Sequence, residues 1–349
     1  MPSRSRLPGC AMRVQRALET RRPRGFVSVT LVAATLALSA RPTHAQEEAT
    51  APAEPVGAVP PETPSSTDEP RGLSRTEILT IAGVGTGLSA LVMGGGYLAW
   101  WRDAQHSEFK FYDSGFLRRD TYAGGADKLG HVYSVFVGTR MFTQAFMWAG
   151  INHRDSVLAT GAIEGLLSFA VEFADAYNSY GFEFNDVIAD YFGIGMGFAA
   201  EFCPAFDALI GYRVSAIPSS RLLYGKKDYI KIVNDYSGQM YFLDFRPAGL
   251  EDVFGISPGW ARYFILSVTH STNGYSPKDP PKQRKVGVAV GLNVPEILRA
   301  VFGNDGRAVA VTGTITKYVA VPFTNVGWQH GLNFHEERVN FGVANRLQL

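Results

Sequence analysis

Three apolar segments between residues 127 and 211 each carry polar or small side chains at helical spacing. A fold that kept these stripes apart would strand charges in a greasy interior. Asp127, His131, Ser134 and Gly138 follow i, i+4, i+7 and i+11. Glu164, Ser168, Glu172 and Asp175 follow i, i+4, i+8 and i+11, and Asp186, Asp190, Gly193 and Gly197 repeat the first pattern. Residues at these offsets share one helix face. An unpaired buried carboxylate costs several kcal/mol, and stripes that face one another avoid that cost. The spacing predicts helices over about 127–149, 156–178 and 186–211, with connections short enough to make neighbours antiparallel.

Such a meeting collects Asp127, His131, Glu172, Asp175, Asp186 and Asp190, with Lys128 adjacent. Three uses fit these residue types. Oxygen ligands with one imidazole suit a divalent metal, and His131, Glu172, Asp175 and Asp186 form the metal-ligand candidates. Crowded carboxylates shift one another's proton affinity, which suits general acid–base catalysis by the whole set. A hydrogen-bonded network that fixes helix register needs the same groups. The pattern alone leaves all three open.

Elsewhere the chain is poorer in signals. There is no Gly-x-Ser-x-Gly, no phosphate-binding loop, no dinucleotide fingerprint after a strand and no zinc-type Cys/His spacing. Gly193, Gly195 and Gly197 lie inside a helical pattern and read as packing residues. His153 sits in a short turn, and His270, His330 and His335 are scattered without ligand spacing. Cys203 reads as a small apolar residue at a helix end. Arg140 falls on the face away from Asp127 and His131 and predicts a partly wet helix.

Composition narrows the partners. Lys plus Arg is 33 and Asp plus Glu is 32, a net charge of +1, which argues against a nucleic-acid partner. Charged residues are 19% and hydrophobic ones 46%, with 37 glycines, which excludes a wholly disordered chain and points to tight helix packing, a membrane, or both.

Residues 1–45 read as a signal peptide. Arginines crowd the start, Phe26 to Ala40 is uncharged, and Thr43-His44-Ala45 is a small-x-Ala cleavage pattern. Residues 46–72 are a Pro-rich, disordered linker. From Ile78 to Trp101 no side chain is charged, long enough to span a bilayer, with Trp100 and Trp101 placed as interfacial aromatics and Gly83 with Gly87 as a close helix contact. A buried helix of a soluble bundle has the same signature.

After Pro218 the pattern turns to strands: Tyr229–Val233, Gln239–Phe245, Ala261–Thr269, Lys285–Asn293, Ala308–Val319 and Val339–Leu347, with a short helix over 296–302. Val288, Val290 and Leu292 alternate with Gly287, Ala289 and Gly291, a period of two. A greasy outside over a small or polar inside suits a membrane barrel as well as a packed soluble sheet. The expected architecture is α+β. A hydrophobic bundle of three or four helices over 73–212 precedes an antiparallel sheet or small barrel-like module over 219–349.

The polar residues also carry a resemblance. Asp127-Lys128-Leu129-Gly130-His131, then Glu172-Phe173-Ala174-Asp175, then the run from Gly181-Phe182 through Asp186, Asp190 and Gly193, resemble the predicted periplasmic lipoprotein family known as domain-of-unknown-function family 2279. The similarity covers about 127–200, and Asn234 to Tyr241 is similar to a segment of longer members. Asp190 stands where the family has Asn, which adds an acid. Cys10 precedes the apolar run and is not positioned to carry a lipid. The helical pattern of the VanZ-like membrane family is a looser analogy. The resemblance implies an envelope location and no established activity.

The expected protein is exported, to the periplasm or an envelope membrane, the outer favoured over the inner. Membrane lipid or envelope components are the expected partners. The polar cluster has a structural or ligand-binding role, with a divalent metal as the cofactor that its chemistry suits. Two other functions fit the sequence: a metal-assisted hydrolase of an envelope lipid or polyprenyl phosphate, and a scaffold that binds a partner through its C-terminal sheet.

Overall fold

The computed structural model describes residues 72–99, 101–116, 121–219, 222–223, 235–275, 282–303, 307–331 and 340–343. The expected signal peptide, the linker up to residue 71, Trp100, the strand at 229–233, Asn234 and residues 344–347 lie outside the described residues.

The first helix, α1 (Arg75–Ala99), begins at a capping box. The Glu77 amide donates to Ser74 Oγ at 3.2 Å and the Ser74 amide donates to Glu77 Oε2 at 2.8 Å. One stripe of α1, formed by Ile81, Val84, Leu88 and Met93, packs on Phe142, Phe146 and Leu167. Its other faces are exposed. The close approach is made by Gly85, where a Cβ would lie 2.6 Å from Ile163 Cδ1, and not by Gly83 and Gly87, which face open space. Trp101 is likewise not an interfacial residue: it is buried and its indole donates to Asp175.

Three helices follow: α2 (Ala126–Trp148), α3 (His153–Ala176) and α4 (Phe184–Phe202). Asn152 caps α3 by accepting from the Asp155 amide at 3.0 Å. The three helices pack against one another, α2 on α3 and α4 and α3 on α4. The helix expected to reach residue 211 ends earlier. Pro204 disfavours helical backbone at Cys203, a short α5 (Pro204–Leu209) follows, and the chain turns into β1 (Ile210–Ala216).

The sheet is an antiparallel meander in the order β1-β2-β3-β4-β5-β6, so the α+β expectation is met. Its remaining strands are β2 (Gln239–Phe245), β3 (Phe264–Asn273), β4 (Gln283–Leu292), β5 (Asn325–Gly331) and β6 (Asn340–Val343), interrupted by α6 (Gly249–Phe254), α7 (Val294–Phe302) and α8 (Arg307–Thr316). Helix α7 matches the short helix expected there. The start of the expected strand at Ala261 is a 3-10 turn, Gly259–Tyr263. The expected strand over 308–319 is instead mostly α8: its β-branched residues fit a strand, but Thr316 Oγ1 returns to the Thr312 carbonyl at 2.8 Å and tertiary packing overrides propensity. Strand β5 escapes the sequence pattern because glycines dilute it. Gly327 is needed there, since a Cβ would lie 2.5 Å from the Val288 carbonyl.

Helices and sheet share one core. Val132, Phe136 and Val137 of α2 and Ala189 of α4 pack with Tyr212 of β1, Tyr241 of β2 and Tyr318. Beyond this contact the same sheet face continues as exposed apolar rows: Leu243, Val268 and Val288 pair across strands, as do Phe245, Leu266, Val290 and Val326. The opposite face buries Arg213, Asp244, Ser267 and Thr269. The outside is greasy as expected, but the inside is mixed, since Phe242 and Ile265 are buried there beside the polar residues.

Candidate functional site

The three stripes meet where α2 crosses α4, which approach closely because Gly193 replaces a side chain at the crossing: a Cβ there would lie 2.6 Å from the Val132 carbonyl oxygen. Lys128 is the centre of the resulting cluster. Its ammonium lies 2.6 Å from Asp186 Oδ1, 2.9 Å from Glu183 Oε2 and 3.2 Å from Asp127 Oδ2, and its side chain is 0% exposed. Burial opposes the charge, but Asp127, Asp186 and Glu183 outweigh it and raise the lysine's proton affinity.

His131 lies one turn along α2. Its Nδ1 is 2.9 Å from Asp190 Oδ1, and Ser168 Oγ donates to the other oxygen of Asp190 at 2.6 Å. One residue from each helix thus forms a chain, Ser168–Asp190–His131. It leaves Nε2 as the open nitrogen, 3.8 Å from Asp186 Oδ1, on a side chain 26% exposed. Burial opposes the charged ring, but Asp190 and then Asp186 overcome it and lift the imidazole well above its ordinary range.

The other acids have separate partners. Glu172 Oε2 accepts from the Glu183 amide at 2.9 Å, which ties α3 to the start of α4. Its Oε1 is buried without a hydrogen-bond partner, and burial together with Asp186 pushes this carboxyl up to about 8. Asp175 accepts from the Trp101 indole, and burial pushes it up to about 6 against that bond. Glu164 sits apart from the centre, against Gly138, and burial and Asp190 push it up to about 8. Burial raises Asp186 also, with His131 and then Lys128 pulling it back. At neutral pH, Glu164 and Glu172 are therefore mainly protonated.

Donor atoms of Asp127, His131 and Asp186 all lie within 4.8 Å of one another, a spacing that a single cation can bridge. Glu172 and Asp175, expected among the metal ligands, are not in that group.

Three members of the cluster carried no role in the sequence reading. Glu183, just before α4, pairs with Lys128 and accepts from Ser114 Oγ at 2.5 Å. Its offset of i, i+3 to Asp186 would have marked it. Tyr236 donates to Asp127 Oδ1 at 2.7 Å, bringing the sheet to the site. Its place in the segment Asn234–Tyr241 is the available signal. Trp101 was assigned to an interface instead. Arg140 is not a wet-face residue: it pairs with Glu201 at 3.1 Å and Asp207 at 3.4 Å.

This constellation, read in order along the chain, has a counterpart. Residues 113–201 match the model of the predicted periplasmic lipoprotein family, domain of unknown function 2279. The match to family 2279 begins in the loop before α2 and ends in α4, so it takes in all three helices that build the centre. It leaves out α1 and the sheet. No curated protein and no solved structure matches the chain.

Proposed function

We propose that this is an exported cell-envelope protein, held at a membrane by α1, whose helical centre binds a divalent cation through His131 Nε2, Asp186 and Asp127. The observation that carries the reading is the pinning of His131. Metal-ligating histidines commonly hold their second ring nitrogen on a carboxylate, and Ser168–Asp190–His131 has that form. The charge supports it too. Four acids, Asp127, Glu183, Asp186 and Asp190, surround two cationic groups, Lys128 and His131, and a divalent ion would displace the proton from Nε2 to use it as a ligand. A divalent ion brings this set nearer neutrality.

Membrane attachment rests on α1. Two helices, Arg75–Leu98 and His153–Ala176, are long and apolar enough to cross a bilayer. Helix α1 packs on the bundle along one stripe and exposes its other faces, whereas α3 turns Glu164, Glu172 and Asp175 inward, so α1 is the anchor and α3 a bundle helix. A periplasmic location agrees with the description of the family matched over 113–201.

A second reading has its own observation. Lys128 already sits 2.6 Å from the Asp186 oxygen that a metal would share, so the ammonium can serve as the resident cation of a network that locks helix register. Metal content of the purified full chain, with thermal unfolding during Mn2+ and Zn2+ titration, separates the two. Cation binding predicts about one equivalent bound and a rise in Tm, both lost in His131→Ala while the chain stays folded. No saturable binding by wild type overturns the cation reading and leaves the Lys128 network.

A further inference from the structure

A second charged site lies on the sheet face opposite Tyr212 and Tyr241, remote in composition from the helical centre and sharing none of its residues. There a cavity of about 40 Å3 is lined by Arg213, Asp244, Arg246, Asn293, Thr316 and Lys317, with the first turn of α7 at its wall. We propose that this cavity binds a phosphate-class oxyanion.

Charge and size both favour such an anion. Arg213 is held by Asp244 through two donors, and Lys317 pairs with Asp207 at 2.6 Å. Arg246 has no ion-pair partner among the described residues: its guanidinium donates to the Ile210 carbonyl, and its buried Nε has no hydrogen-bond partner. Three cations thus line the cavity with one carboxylate, Asp244. Burial is the foremost cause that lowers the proton affinity of Arg246 and Lys317; Arg213 adds to it at Arg246 and Arg140 at Lys317, while Asp207 and Asp244 act the other way at Arg246 and Asp207 does so at Lys317. Guanidinium groups present forked donors that match phosphate oxygens. The N-terminal end of α7 adds a favourable dipole. A void of about 10–15 Å3 seats one water, so this cavity has room for roughly three, the size class of a tetrahedral oxyanion and not of a nucleotide.

Free phosphate and the headgroup of an anionic phospholipid share this chemistry. Exposed Leu292 lines the cavity and exposed Phe323 precedes the lining residue Thr324, whereas Phe245, Leu266 and Val290 lie on the sheet face turned away from it.

The test uses wild-type full chain at constant ionic strength. Amine labelling of Lys317, 23% exposed, is followed by mass spectrometry with exposed Lys110 as control. The reactions contain inorganic phosphate, phosphatidylcholine vesicles, or vesicles that also contain phosphatidic acid. Saturable protection of Lys317 by inorganic phosphate, several-fold over Lys110 and weakened at least 10-fold in Arg246→Met, supports a site for free phosphate. Protection by phosphatidic acid vesicles alone supports a headgroup site. Unchanged labelling in every arm overturns the proposal, as does protection undiminished in a folded Arg246→Met. The wild-type arms decide the matter even when the variant does not fold.

Discussion

Lys128 Nζ lies 2.6 Å from Asp186 Oδ1, and this one contact ties the start of α2 to the start of α4 with no part of the lysine open to water. Its neighbours extend the tie. Glu183 brings in the loop before α4, and Asp127, through Tyr236, brings in the segment that leads to β2. A buried cation with several acids is electrostatically demanding. It is tolerated because each group has a partner from a different element, so the same contacts that satisfy the charges also fix how helices and sheet meet.

Replacing Lys128 with Met should therefore be severe. Asp127, Glu183 and Asp186 would be left crowded without their counter-ion, a loss of about 3–5 kcal/mol. Denaturant unfolding measures it. Adding Asp186→Asn to Lys128→Met should recover part of the loss, because it removes one of the stranded charges. A double variant no more stable than the single one would contradict the assigned pairing.

Asp190→Asn should lower the proton affinity of His131, since Asp190 is the foremost group that raises it against burial. The imidazole titration followed by NMR should move to lower pH. Where a divalent ion binds at Nε2, the same variant should weaken it by about 10–100-fold, the usual effect of losing a carboxylate that orients a ligating histidine. Ser168→Ala removes the hydrogen bond that orients Asp190 and should weaken such an ion by a smaller factor.

Much of this centre was legible because helical spacing is a local property. Asp127, His131, Ser168, Asp186 and Asp190 fall on faces that the offsets alone define, and their buried charge forces those faces together. Glu183, Tyr236 and Trp101 were not legible in the same way. They reach the site from a loop, from the segment before β2 and from beyond the end of α1, and no periodicity reports a long-range contact. The fold divides along the same line. The period of two located β4, but the Thr- and Val-rich stretch of α8 has a strand-like composition while its helix packs on α7 and seats Ile315 against the shared core. The glycines of β5 conceal a strand whose backbone proximity requires them.

The α2–α4 crossing allows a contrast between neighbouring glycines. In Gly193→Ala the new Cβ would lie 2.6 Å from the Val132 carbonyl and 3.1 Å from the Phe136 amide nitrogen, both backbone atoms that cannot step aside. The cost should be about 1–3 kcal/mol. Gly195 has nothing within 4 Å of the same position. Gly195→Ala should be neutral or stabilising by up to about 1 kcal/mol, from helix propensity. Thermal unfolding of the two variants should place them on opposite sides of wild type, and a Gly193→Ala protein as stable as Gly195→Ala would mean that the helices do not cross there.

His270 should make stability depend on mildly acidic pH. Burial, with Arg284 adding to it, pushes the ring down to about 4, while a hydrogen bond to the Gly124 backbone acts the other way. In the unfolded chain the ring takes up a proton near the usual value of about 6.5. Between those two values the unfolded state binds more protons than the folded one, so stability rises with pH through the window. The contribution is complete above about 6.5 and is lost as pH falls toward 4. Each unit of displacement corresponds to about 1.4 kcal/mol, and partial exposure of the ring reduces the total to about 2 kcal/mol. Carboxylates titrate in the same range, so the informative quantity is the difference between wild type and His270→Gln. Between pH 7.5 and 4.5 wild type should lose about 2 kcal/mol more than the variant in urea unfolding, and equal losses would show that the ring is not held neutral.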